Sequence, residues 1–179
     1  ILGCKTTLSD QPSIVGLSQE EHIQFLDSLE AVQFILEDPS QGFFDKITAL
    51  DMQLQLQQDY PSSTTREQIL SDYRQLLSND VATFTQKERN LLSQVWQRVY
   101  RDCNSIRPGL FPDTISLVKT LAQHYGPGVY YTRGTGIIIP QNELYSDNED
   151  GLYSVMLHEL FHIWSRLHPD KGRQLYSLI

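Results

Sequence analysis

The stretch Leu152-Tyr153-Ser154-Val155-Met156-Leu157-His158-Glu159-Leu160-Phe161-His162-Ile163-Trp164-Ser165-Arg166-Leu167 decides how the chain is read. Leu152, Val155, Met156, Leu160, Phe161, Ile163 and Trp164 recur at helical spacing, which predicts a helix with one buried face from about Glu149 to Leu167. Pro169 follows. The residue before a proline is pushed out of the α region, so the helix should end there. Inside it lies His158-Glu159-Leu160-Phe161-His162, a match to H-E-x-x-H.

That spacing has a direct physical consequence. At about 100° per residue, positions i and i+4 lie about 40° apart and one turn along the helix. The His158 and His162 imidazoles can therefore reach one metal ion from the same face. Glu159 lies about 100° from His158. It sits beside such an ion, where it can take a proton from activated water without being a ligand. Zn2+ suits the donor set, because it accepts imidazole and carboxylate and keeps a position open for water in catalytic sites. The competing reading is a pair of core histidines satisfied by hydrogen bonds. A glutamate between them, inside an apolar helix, favours the metal.

Upstream of this helix the texture is broken. Pro112, Gly126, Pro127, Gly128, Gly134 and Gly136 punctuate β-rich pieces at 114–120, 129–132 and 137–139. The first of these also fits a helical period through Ile115, Leu117, Val118 and Leu121. Gly134-Thr135-Gly136 reads as a tight connection between two strands. Before Arg107 the chain reads as helices. Ser18 with Glu21 is a capping-box signal ahead of an apolar run from Ile23 to Leu36. A second helix spans about 44–58, although Leu54-Gln55-Leu56-Gln57 alternates as a strand would. Thr65 with Gln68 and Thr85 with Glu88 open two more. The last carries Leu91, Leu92, Val95, Trp96, Val99, Tyr100 and Cys103 on one broad stripe. The expected fold is α+β and mostly α-helical. A helical N-terminal region, 1–107, precedes a metal-binding region, 108–179, that holds a small β-sheet and the active helix.

Composition narrows the partners. Fourteen Lys and Arg against 22 Asp and Glu give a net charge of −8, and mean hydropathy is −0.35. No basic stripe exists to neutralise phosphates, so nucleic acid is not an expected partner. No run approaches the ~18 apolar residues of a membrane-spanning helix. With 40% hydrophobic residues the chain is not disordered as a whole. It starts at Ile1, and Ile1-Leu2-Gly3-Cys4 has the shape of the end of a bacterial lipoprotein signal. An exported location follows from that reading: periplasmic, secreted or lipid-anchored through Cys4. The alternative is an ordinary apolar start. Cys4 and Cys103 are the only cysteines and could pair in an oxidising compartment. The default for Cys103, on its apolar face, is a buried structural thiol.

The motif resembles the zincin metallopeptidases. Tyr131-Thr132-Arg133-Gly134, Ile137-Ile138-Ile139-Pro140 and His158 to Arg166 together look like a little-characterised bacterial family of this kind, over roughly residues 108–179. The resemblance implies a β-strand edge near the active helix that binds substrate in extended form, at 137–140 or 129–132. The third metal ligand stays open. The longer metzincin pattern aligns His158, Glu159, His162 and His168, with Ser165 where that pattern has Gly. If the helix simply continued, His168 would lie about 280° around from His158 and could not ligate. The departure at Ser165 makes the chain gluzincin-like more than metzincin-like. No Glu follows Glu159, so the third ligand is His168, Asp170, an upstream residue or one beyond Ile179. His162 lies 17 residues from the last residue, and a longer parent protein is the expectation.

Further residues have weaker claims. Arg133, Arg166, Tyr131 and Tyr153 could polarise a carbonyl or stabilise an oxyanion, though a structural role is the default for each. His22 and His124 read as surface or capping residues. Glu143, Asp147, Glu149 and Asp150 read as a solvated stretch that favours the helix N-terminus. The function expected is a zinc-dependent metallopeptidase acting on a peptide or protein substrate, with His158 and His162 as ligands, His168 as the candidate third ligand and Glu159 as general base. The alternative is an inactive binding protein of the same fold with a structural or absent metal.

Overall fold

The computed structural model describes residues 22–38, 42–145 and 147–177. In chain order they form β1 (Ile23–Phe25), α1 (Ser28–Leu36), α2 (Phe43–Lys46), α3 (Ala49–Leu56), α4 (Arg66–Asn79), β2 (Val81–Ala82), α5 (Gln86–Ile106), β3 (Ile115–Thr120), β4 (Tyr131–Arg133), β5 (Gly136–Pro140), α6 (Glu149–Leu167) and α7 (Pro169–Tyr176). The fold is α+β and mostly helical, around one five-stranded sheet. None of the described helices is long and apolar enough to cross a membrane.

β3 is the centre of the sheet. It pairs in parallel with β1 and with β5, and antiparallel with β2. β1 meets its first half and β2 its end, so the two short strands share the edge opposite β5. β4 closes an antiparallel hairpin on β5 with Arg133 opposite Gly136, across the Gly134-Thr135 turn. The strand pieces read from sequence at 129–132 and 137–139 are therefore real but shifted, and 115–120 is strand rather than helix. Sequence boundary 107/108 falls after α5, and β1 and β2 from before it pair with β3 from after it.

The sheet is covered on both faces, which is why β3 and β5 are apolar almost throughout. Ile115, Leu117, Ile137 and Ile139 face α5 and α6, packing on Leu92, Val95, Trp96, Val99, Leu152, Met156, Leu160 and Ile163. Val118 and Ile138 face the other way, onto Ala31, Ile35, Met52, Ile69, Tyr73 and Leu77 of α1, α3 and α4. Lys119 lies in the first core with its ammonium 2.8 Å and 2.9 Å from the two Glu88 oxygens of α5.

Local chemistry sets the helix starts. Thr65 and Gln68, and Thr85 and Glu88, form the reciprocal capping boxes their sequences announce. The helix expected across 23–36 is corrected. Ile23–Phe25 is a strand, because pairing with β3 satisfies its backbone, and the box that opens α1 is Asp27 with Glu30. Ser18, Glu21 and Cys4 lie outside the described residues. The helix expected over 44–58 is broken in two, since Thr48 and Asp51 cap a new start at α3. Its alternating piece, Leu54 to Gln57, is helix and its cap. Pro169 ends α6 and also begins α7, at a first-turn position where its missing N–H costs nothing.

Candidate metal centre

α6 packs its buried line, Leu152, Met156, Glu159, Leu160 and Ile163, against the sheet and α5. His158 and His162 lie on the neighbouring stripe, His158 exposed and His162 half-buried. Their Nε2 atoms approach to 2.9 Å with the rings edge-on. One Nε2–H donates to the bare nitrogen of the other, so both side chains aim the same atom at one point. A cation between them would take the place of that proton, and two imidazoles fit a zinc ion as two of its ligands.

Glu159 is 5% exposed and carries no hydrogen bond to another described residue. Burial pushes its carboxyl above the usual range, while His158 and Arg166 pull it back. His162 is held below its ordinary value, first by burial and then by the charges of His158 and Arg166. A lowered imidazole stays neutral, as a metal ligand must. The motif thus places a neutral-favouring imidazole, His162, on the helix with a carboxyl of raised proton affinity, Glu159.

Of the four polarising candidates, Arg166 alone reaches this place. Its Nη1 donates to the Gly134 carbonyl (2.5 Å) and its Nη2 to Thr132 Oγ1 (2.7 Å). This bridges α6 to the β4 hairpin. β4 pairs with β5 only, so among the described residues its other edge is open, whereas 137–140 is internal. Tyr131 and Arg133 point to the opposite face of the sheet. Tyr153 donates to Asp102 Oδ2 at 2.9 Å on the α5 side.

His168 caps the C-terminus of α6 and packs its ring on Trp164, 5.2 Å between centroids, with Nδ1 buried and unpartnered among the described residues. Asp170 pairs with Arg173 at the surface. Among the described residues no third His, Cys, Asp or Glu joins His158 and His162 in a metal-sized group. His124 is corrected from a surface residue to a core one. Its Nδ1 bonds the fully buried Asp80 carboxylate and its Nε2 lies 2.8 Å from Tyr131 Oη. His22 Nδ1 meets the Asp113 carbonyl at 3.1 Å. Cys103 is half-buried rather than fully enclosed, and burial raises its thiol.

Sequence reasoning missed Tyr130. Its hydroxyl is buried without a hydrogen-bond partner among the described residues, and Glu143, Tyr145 and Glu159 all add to the rise in its pKa that burial begins. Nothing in the sequence marks a lone tyrosine this way. Two depressions lie along α6. One, about 280 Å3, is apolar, with Leu110, Phe111, Leu157, Phe161 and Trp164 in its walls. The other, about 340 Å3, is walled by His162 itself with Ser165, Arg166, Pro169, Gly172 and Arg173. Compared with known protein families, curated proteins and solved structures, the chain matches none of them.

Proposed function

We propose that the chain is a zinc-dependent metallopeptidase. The observation that carries the reading is the pair of Nε2 atoms 2.9 Å apart on α6 with the buried Glu159 beside them. His158 and His162 would hold Zn2+, with a third ligand from outside the described residues or from a rearranged His168. The ion would supply a Lewis acid at the scissile carbonyl and a nucleophilic water near neutral pH. Glu159 accepts the proton of the attacking water and returns it to the leaving amine, a role its raised proton affinity suits. Arg166 fixes the β4 hairpin against the active helix, so an extended peptide pairing along the open edge of β4 would be held in register with the histidines.

Glu159→Gln tests this. The variant should bind zinc as the parent does and lose peptide hydrolysis by ~10²-fold or more. Proteolysis that survives in it refutes the assignment. A second reading, an inactive binding protein of this architecture, draws on the two-ligand set and on the place of His168 against Trp164. Less than about 0.2 zinc per chain after metal-replete preparation would favour it.

A further inference from the structure

The depression walled by His162 also carries two arginines, and this bears on what the site takes. Resting on the metallopeptidase reading, we propose that the depression between α6 and α7 receives a carboxylate of the substrate within about two residues of the scissile bond. Arg173 is its direct partner and Arg166 the fixed charge behind it.

The geometry is continuous with the metal centre, because His162 is itself a wall of the depression. Arg166 is one helical turn beyond His162 and is immobilised by Gly134 O and Thr132 Oγ1. Its charge therefore stands at a set place. Arg173 comes from α7 and, among the described residues, pairs only with Asp170, an i,i+3 pair whose two side chains are largely exposed. Such a pair is worth little and exchanges easily for another carboxylate. Guanidinium groups select planar carboxylates through paired N–H donors, which an ammonium does not do. Room for the ligand comes from small residues. Gly172 is buried where α7 crosses α6, and a Cβ there would sit 3.2 Å from Ser165 Cβ. Ser165 turns its hydroxyl inward to the His162 carbonyl at 3.0 Å. The neighbouring depression along α6, at Leu157, Phe161 and Trp164, is apolar and offers no such charge.

The carboxylate can be the C-terminus of a peptide or an Asp or Glu side chain. Both use the same pocket chemistry, and the test separates them. Zinc-loaded protein is given one peptide as free acid, the same peptide as amide, and versions with Glu exchanged for Gln next to the cleaved bond. The expected result is a preference of about tenfold or more in kcat/KM for the carboxylate form. It should collapse in Arg173→Gln and partly return in Arg173→Lys. Loss with the amide identifies the C-terminus, and loss with Gln identifies the side chain. Equal cleavage of all forms overturns the carboxylate site and leaves the peptidase reading standing. A second readout needs no turnover. In metal-free protein, the side-chain Nε–H resonances of Arg166 and Arg173 should shift on titration with an N-acetyl dipeptide acid and not with its amide. Identical responses to acid and amide overturn the proposal whatever the activity. No cleavage of any peptide by zinc-loaded protein, with the acid-specific shifts present, refutes the peptidase reading and keeps the carboxylate site.

Discussion

Arg133 offers the sharpest energetic test of how the two faces of the sheet are divided. It is 2% exposed and, among the described residues, has no carboxylate partner within ion-pair distance. Its Nη1 donates to the Ile35 carbonyl at 3.0 Å, and Nε and Nη2 have no partner among the described residues. Its Cζ lies 3.8 Å from the Phe43 ring centre, 5.5 Å from Phe44 and 5.7 Å from Tyr131. Arg133→Met removes one charged hydrogen bond, about 2 kcal/mol, and a desolvated cation–π contact, about 2 kcal/mol. It also removes two unsatisfied buried nitrogens at about 2 kcal/mol each. These nearly cancel, so Met should fall within ~1.5 kcal/mol of the parent. Arg133→Ala shares that cancellation but empties the space of the side-chain stem. About three methylenes at ~0.8 kcal/mol, with a cavity term, put it roughly 3 kcal/mol below Met. Denaturant unfolding at matched m-values measures the gap, which should appear as about 6–12 °C in Tm for a chain of this size. A Met variant as damaged as the Ala variant would show the buried charge to be net stabilising and would refute the reasoning.

Three other outcomes follow from the same structure. Because burial raises the Glu159 carboxyl in the folded state, folding favours its protonated form. The Glu159 contribution to stability should be full below the unfolded value of 4.5 and be lost as pH rises through the folded value. Glu159→Gln should remove that decline in metal-free protein, and a parallel pH profile for the two proteins would contradict it. His162 has the opposite sign. Its neutral form is favoured when folded, so metal-free protein should lose stability as pH falls below the unfolded value of 6.5, a loss removed in His162→Gln and read from chemical denaturation across that range. His168→Ala should keep zinc affinity within threefold, since the ring packs on Trp164, while His162→Ala abolishes it. A drop of tenfold or more at His168 would return that residue to the ligand set.

What could be read from sequence was what is local along the chain. Thr65 with Gln68, Thr85 with Glu88 and the helix from Glu149 to Leu167 stand where their caps and stripes put them, because each signal lies within one element. β1 escaped because three residues carry little periodicity and acquire strand conformation only by pairing with Ile115 to Leu117. β2, two residues long, escaped for the same reason. The break before α3 was legible in Thr48 and Asp51 but was outvoted by the apolar run around it. The same division holds at the site. His158, Glu159 and His162 share a helix and are visible from spacing alone. The reach of Arg166 to Thr132 depends on how a hairpin packs on that helix, and the burial of His124 depends on Asp80, 44 residues away in sequence.

β4 joins the two faces. Alternation sends Tyr131 and Arg133 toward the α1–α4 side and Thr132 toward α6, where Arg166 holds it. A slip of one residue would exchange these sets. Arg133 would then meet Arg166, two like charges, and Thr132 would enter the ring cage of Phe43 and Phe44. The buried guanidinium and its aromatic cage therefore penalise the wrong register. The right register places Thr132 where Arg166, one helical turn beyond His162, holds it. Methionine at 133 would keep that bias, because an apolar side chain is also driven to the buried face. Aspartate would not, since neither face offers it a partner without moving Arg166 off Gly134. The edge strand next to the candidate metal centre is thus positioned by a residue that never touches the centre.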